Sequence, residues 1–181
     1  MIRIISGKYR GKKINEANDP IVTRPTMDRI KESMFAILQH VIKEAKVLDL
    51  FSGTGNLGIE ALSNGAKIST FVDKDRGAIE NIKSNLKIVG AEAEVLQMDY
   101  LDALARFASK GVKFDIIFLD PPYASDLGIN AVREIKNKHL LADGGVIVFE
   151  SSQNVKEECE KLFITDERKY GTKRLYILLN N

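Results

Sequence analysis

From about residue 45 onward, short apolar runs alternate with amphipathic stretches, and the two kinds of segment carry different periods. Most of residues 46–50, 68–73, 93–99, 114–120 and 146–150 are nearly continuous in Val, Ile, Leu and Phe, as strands covered on both faces of a parallel sheet must be. Between them, apolar residues return at helical spacing. Ile79, Ile82, Leu86 and Val89 line one face and stop at Gly90, and Leu101, Leu104 and Phe107 precede Gly111. Val132 and Ile135 mark another helix before Asp143-Gly144-Gly145, which reads as a turn. An earlier helix opens just after Pro25 and carries Met27, Ile30, Met34, Ile37, Leu38 and Val41. Two last apolar segments, 163–167 and 174–179, are joined by Lys169-Tyr170-Gly171-Thr172-Lys173, short enough for a hairpin, so they should pair antiparallel. The pattern predicts an α/β fold with seven strands in a mostly parallel sheet and an antiparallel last strand. Residues 2–14 alternate loosely, with Gly7 and Gly11 at bends, and predict a small hairpin outside that unit. We therefore divide the chain into an N-terminal hairpin extension, 1–22, and a main domain, 23–181.

Composition narrows the class. With 181 residues, 44% hydrophobic and 29% charged, the chain should bury roughly 70% of its unfolded surface without covalent staples. One cysteine, Cys159, and two histidines exclude a disulfide scaffold and a Cys/His metal module, so no metal is expected. No apolar run approaches the ~20 residues of a membrane span, and charges fill the N-terminus where a signal peptide needs an apolar stretch. A cytoplasmic protein without membrane contact is expected. Net charge is only +2, but residues 1–31 carry +5 and the other 150 sum to −3. A basic arm on a mildly acidic body suits a polyanion partner, because Lys and Arg neutralise phosphates and release counterions. Its candidate contacts are Arg3, Lys8, Arg10, Lys12, Lys13 and Arg24. Arg168, Lys169, Lys173 and Arg174 read as a solvated turn in preference to a second such surface.

Two constellations carry chemistry. The first is Asp49-Leu-Phe51-Ser-Gly53-Thr-Gly55-Asn-Leu-Gly58, which follows the first strand and leads into a helix. Its glycines permit a tight turn that brings bare amides to a ligand at a helix N-terminus. Asp73, at the end of the next strand, is placed for a ribose diol. This much fits a dinucleotide or S-adenosylmethionine. Asp49 separates them, since a carboxylate there would repel pyrophosphate and attract an ammonium. Asp99 can serve equally as an acceptor for an adenine amine or as a helix N-cap. The second constellation, Asp120-Pro121-Pro122-Tyr123, follows a buried strand. Two prolines hold the chain extended, so that a carboxylate and a backbone carbonyl can converge on an exocyclic amine while the tyrosine ring stacks on the base. Such an amine is a poor nucleophile, and paired acceptors favour the cationic transition state.

Together these motifs resemble the class I S-adenosylmethionine-dependent methyltransferases that act on exocyclic nitrogens, with their Rossmann-like sheet. Three further blocks narrow the likeness: Ile5-Ser-Gly-Lys-Tyr-Arg-Gly-Lys-Lys-Ile14, Thr23-Arg-Pro-Thr-Met-Asp-Arg-Ile-Lys-Glu-Ser-Met-Phe35 and Leu57-Gly-Ile-Glu-Ala-Leu-Ser-Asn-Gly-Ala66. They resemble the RsmD family of bacterial 16S rRNA guanine-N2 methyltransferases, nearly end to end. The resemblance implies that S-adenosylmethionine is bound by Asp49, Phe51, Gly53, Gly55, Asp73 and Asp99, and that Asp120, Pro121, Pro122 and Tyr123 hold the guanine amine. It also implies that the basic hairpin engages 16S rRNA within a partly or fully assembled small subunit. Lys31 stands where arginine is expected, Ala36 where asparagine is common, and Asp73 where glutamate is frequent. Two other readings compete: a DNA adenine-N6 methyltransferase, and a non-catalytic RNA-binding or assembly factor on the same scaffold. The first would need a target-recognition segment for which the chain has no spare length; the second has no chemical need of Asp120.

Overall fold

The computed structural model describes residues 1–17, 24–123 and 125–180; side chains at 24–26 are not described. A hairpin of β1 (Ile2–Arg3) and β2 (Lys13–Ile14) comes first, followed by α1 (Arg24–Leu38). Strand and helix then alternate: β3 (Lys46–Asp49), α2 (Asn56–Ser63), β4 (Ile68–Asp73), α3 (Arg76–Val89), β5 (Val95–Gln97), α4 (Tyr100–Ser109) and β6 (Phe114–Leu119). The chain continues through α5 (Leu127–Asn137), β7 (Leu141–Ser151), α6 (Lys156–Glu160), β8 (Ile164–Tyr170) and β9 (Lys173–Leu179).

The larger sheet has seven strands in the order β5-β4-β3-β6-β7-β9-β8. All pairs from β5 to β7 are parallel, while β9 runs antiparallel to both β7 and β8. The antiparallel strand is last in sequence but does not form the sheet edge; it threads between β7 and β8. Its first residue, Lys173, therefore emerges at the edge where the parallel strands end. That placement matters for the site.

Local signals set the helices. In α3, the Asp75 carboxylate accepts from the Ala78 amide (2.8 Å), and the helix stops where Gly90 turns left-handed at φ 75°. Its buried Ile79, Ile82, Leu86 and Val89 pack with Ile59 of α2, Phe71 of β4 and the hairpin residues Ile2, Ile4 and Ile14. The hairpin is a separate two-stranded sheet, yet its apolar face is part of the main core. Ile30, Met34 and Leu38 of α1 cover one face of the central strands with Val47, Ile116 and Val148. Leu104, Phe107, Val132 and Ile135 cover the other with Leu48, Ile117 and Ile147. At roughly 25 cal/mol per Å² of apolar surface, burial on both faces accounts for the unbroken hydrophobic character of β3 and β6.

Two expectations are corrected and one element is added. Residues 143–145 do not form a turn before a strand; they lie within β7, where a register shift sets Asp115 alone against residues 142–145. The extra length bulges out, with Gly144 at φ 72°. Val41 lies beyond α1, which ends at Leu38. The short helix α6 was not anticipated, because its five polar-rich residues carry no apolar period. The boundary drawn between residues 22 and 23 lies outside the described residues. No helix among those described is long and apolar enough to cross a membrane.

Candidate active site

The central neighbours β3 and β6 lead in opposite directions along the sheet, toward β4 and β5 on one side and β7 to β9 on the other. Such a reversal opens a crevice at the carboxyl ends of the strands. The crevice here has a volume of about 290 Å³ and is lined by Asp49, Phe51 and Gly53 on the β3 side, by Lys31 of α1, and by Asp120, Glu150 and Lys173.

The loop after β3 is held by its own backbone and by Ser52. The Ser52 amide donates to the Val72 carbonyl (3.0 Å), and its hydroxyl donates to the Asp49 carbonyl (2.5 Å) while accepting from the Val72 amide (3.0 Å). The three glycines have different duties. Gly53 sits at φ 55°, and no atom lies within 4 Å of where a side chain would begin, so the loop presents bare backbone to the crevice. Gly55, at φ 80°, is the N-cap of α2. Gly58 is required by contact, since a Cβ there would lie 2.4 Å from the Phe71 ring and push α2 off β4.

Asp49 is buried, and its Oδ2 accepts from the Gly58 amide (3.0 Å), leaving Oδ1 for the crevice. Burial pushes its carboxyl up to about 7; the Gly58 hydrogen bond opposes the rise and the Asp73 charge adds to it. Asp73 accepts from the Gly53 amide (2.9 Å) and the Asp75 amide (3.0 Å), one on each oxygen. Each oxygen retains a lone pair for a diol. Asp99 caps α4 by accepting from the Leu101 amide (2.9 Å), so its helix-capping role is realised in the structure. Phe51 packs against Tyr100, with ring centroids 5.3 Å apart. Asp73 ends β4 and Asp99 lies two residues past β5; neither is part of the crevice lining.

Across from this loop, Asp120 leaves the end of β6 and opens into the crevice. Asp120 is exposed to the open crevice; what burial its carboxyl has, and then the Glu150 and Asp49 charges, raise its pKa, while Lys173 pulls it down. Water entering the open crevice tempers the rise. The Pro122 carbonyl accepts from Ser125 Oγ (2.8 Å), which stiffens the turn and leaves that oxygen one lone pair. Tyr123 is 77% exposed and its ring is free to meet a base.

The sequence does not mark Glu150 and Lys173 for this site. Lys173 is not in a solvated turn: its Nζ donates to Glu150 Oε1 at 2.6 Å and both residues line the crevice. Burial alone would lower the Lys173 pKa; the Glu150 carboxylate and its hydrogen bond more than reverse this, and the pKa is raised. Strand register is the missing signal: Leu119 pairs with Phe149, so Asp120, just past β6, lies level with Glu150 near the end of β7.

The basic candidates occupy the hairpin surface. Lys8, Arg10 and Lys13 are exposed; Arg3 is exposed and pairs with Asp28 at 3.6 Å. Lys12 donates to the Val89 carbonyl (3.3 Å), and the Lys8 and Lys12 ammoniums lie 4.9 and 5.5 Å from the Tyr9 ring centroid. Arg24 opens α1, and its side chain lies outside the described residues.

Comparison with known proteins is consistent with this arrangement. Residues 2–179 match the family described as Conserved hypothetical protein 95. Over 94% of each chain, the sequence is 38% identical to YlbH of Bacillus subtilis. It is 37% identical to ribosomal RNA small subunit methyltransferase D of Escherichia coli, covering 83% of this chain and 74% of that one. The chain belongs to the RsmD family. A solved structure of the Escherichia coli protein yhhF superposes with a TM-score of 0.79 at 28% identity over 99% of both chains. The residues present fit the S-adenosylmethionine implied by the RsmD resemblance: Gly53 leaves room for it, and Asp49 offers a carboxylate to its ammonium. The same buried carboxylate would repel the pyrophosphate of a dinucleotide.

Proposed function

We propose that the chain transfers a methyl group from S-adenosylmethionine to the exocyclic N2 of a guanine in 16S ribosomal RNA, within a partly or fully assembled small subunit in the cytoplasm. One observation carries the reading: Asp120, at the end of β6, shares a single crevice with Asp49 and Gly53 on the glycine loop. An amine held by the first can therefore meet a group held by the others.

The bound cofactor supplies an electrophilic methyl on a sulfonium. Asp49 binds the ammonium of its amino-acid part, Gly53 and Gly55 provide bare backbone, Asp73 takes the ribose and Asp99 the adenine. Asp120 accepts from the guanine N2 amine and orients its lone pair. As positive charge develops on N2, the carboxylate stabilises it, an electrostatic effect of the kind worth about 3–4 kcal/mol per acceptor or donor. Its raised pKa also makes Asp120 a better acceptor for the proton that leaves N2. Pro121 and Pro122 keep the chain extended, and Tyr123 supplies a ring for the base. Turning a base out of a duplex costs a few kcal/mol, which favours an unpaired target. Arg3, Lys8, Arg10, Lys12, Lys13 and Arg24 neutralise RNA phosphates.

The test is transfer of labelled methyl to small subunits lacking native modifications, beside naked rRNA and duplex DNA, followed by nucleoside analysis. N2-methylguanosine in the ribosomal sample is expected. N6-methyladenosine in DNA, or cofactor binding without transfer to any substrate, overturns the reading. Asp120→Ala should lower turnover by about 100-fold or more while calorimetry finds cofactor affinity nearly unchanged. Unaltered turnover would remove Asp120 from the chemistry.

A further inference from the structure

The crevice contains more charge than amine capture requires. Beyond Asp120, it holds the Glu150–Lys173 pair, whose side chains are 11% and 27% exposed. Among the described residues, the Lys173 ammonium uses one of its three N–H groups, on Glu150 Oε1. Spare hydrogen-bonding capacity facing a crevice is what a substrate reader requires.

We propose that Asp120, Glu150 and Lys173 form a row that reads the Watson–Crick edge of the target base and selects guanine. The inference rests on the reading above and extends it to base choice. Asp120 accepts from the N2 amine, Glu150 accepts from N1–H, and Lys173 donates to O6.

The order of the row follows from the sheet. Leu119 pairs with Phe149, so Asp120, just past the end of β6, lies level with Glu150, which is still within β7. Neighbouring strands lie about 4.8 Å apart, within reach of one planar base. Beyond β7 lies β9, running the other way, so its first residue, Lys173, comes out at the same edge. Reading across the sheet gives acceptor, acceptor, donor. The guanine edge, read from N2, gives donor, donor, acceptor, and every position is complementary.

Other amino bases fail at the second position. With the adenine N6 amine on Asp120, the next edge atom is N1, an acceptor facing the Glu150 carboxylate. Cytosine fails likewise, because N3 beside its N4 amine is an acceptor. Either base would set a lone pair against the Glu150 oxygen that Lys173 does not bind and leave that mostly buried oxygen without a donor, which is how polar sites achieve large discrimination. Lys173 has a second duty here: without it, two adjacent carboxylates would repel and one would take up a proton.

The test uses 2-aminopurine, which keeps the N2 amine but has an acceptor at N1 and no O6. The guanine methylated by wild type is mapped, then replaced by 2-aminopurine through splinted ligation. Wild type should prefer guanine by 100-fold or more in kcat/KM. In Glu150→Gln the amide NH2 can donate to N1 of 2-aminopurine, so the preference should fall at least tenfold, with the 2-aminopurine rate unchanged or raised. Lys173→Met should lower guanine transfer far more than 2-aminopurine transfer, because the latter has no O6 to lose. If both substrates slow in the same proportion in both variants, the pair is structural and the proposal is overturned. If wild type modifies no guanine N2, the underlying methyltransferase reading fails instead, and the two failures are distinguished by the wild-type sample alone.

Discussion

Two lysine–glutamate pairs sit on either side of the crevice, in opposite circumstances. Lys31 and Glu60 are 3% and 0% exposed, with Nζ and Oε2 2.9 Å apart. All three Lys31 N–H groups are used, since Nζ also donates to the Arg3 carbonyl (2.9 Å) and to Asn56 Oδ1 (2.8 Å). Glu60 accepts in addition from the Ser6 amide (2.9 Å), the Ser6 hydroxyl (3.0 Å) and the Ile5 amide (3.1 Å). This pair fastens the hairpin to α1 and α2. Lys173 and Glu150, by contrast, satisfy each other and little else, and face the crevice. The contrast separates two uses of the same chemistry: a saturated pair holds structure, and an unsaturated pair at a crevice is available to a ligand. It also shows why Lys31 can stand where arginine is expected, since three point donors suffice for the three acceptors around it.

The largest effect should come from breaking the saturated pair. Glu60→Ala leaves a buried ammonium without its counter-charge and strips the Ile5 and Ser6 amides of their acceptor. A loss of about 3–5 kcal/mol is expected, as for other broken buried pairs, read as a fall in the urea midpoint. Because the hairpin's Ile2, Ile4 and Ile14 belong to the same cluster as α2 and α3, the loss should appear in one cooperative transition. A change below about 1 kcal/mol would show that the pair does not fasten the hairpin.

Breaking the unsaturated pair should do the reverse. In Lys173→Met the crevice water can still solvate Glu150, so stability should change by about 1 kcal/mol or less. Besides the lost O6 contact, activity is affected through Asp120, which loses the Lys173 charge that lowers its pKa while Glu150 continues to raise it. Since Asp120 works ionised, the low-pH limb of kcat/KM should move to higher pH, and the rate at pH 7 should fall about tenfold. An unshifted limb with a large drop in stability would place Lys173 in the same structural class as Lys31.

The two pairs also differ in how far the sequence revealed them. The α/β alternation was readable because parallel strands buried on both faces are written as continuous apolar runs, and Ile68–Asp73 coincides with β4 at both ends. Asp49 and Asp120 were readable because each sits at a strand end, where a polar residue interrupts such a run, and Gly53 because glycines crowd the loop that follows Asp49. Glu150 and Lys173 have the same local appearance as surface charge. Their meaning depends on β9 entering between β7 and β8, a long-range pairing that no short window encodes. Glu60 was hidden for a related reason: it sits in a helix whose face is covered by the hairpin, 54 residues away at the Ser6 contact.

Asp49 lies between the two extremes, with one oxygen on the Gly58 amide and the other available to the crevice, and so should show both behaviours at smaller amplitude. Its pKa is about 7 in the folded chain against 3.8 as the reference. Between those values the folded state keeps a proton that the unfolded state has lost. Stability from this group is therefore greatest below pH ~4 and declines as pH rises toward 7. Asp49→Asn, which retains an oxygen for Gly58, removes that decline and should raise the stability of the free protein at pH 8 by about 1–2 kcal/mol, a few degrees in Tm. Cofactor affinity should move the other way. The ammonium is held by the ionised carboxylate, so wild-type affinity should climb as pH rises through 7 and then level, while the variant binds about tenfold more weakly at pH 8 and loses this pH dependence. A variant destabilised at pH 8, with wild-type cofactor affinity, would mean that Asp49 serves the fold alone, as Lys31 and Glu60 do.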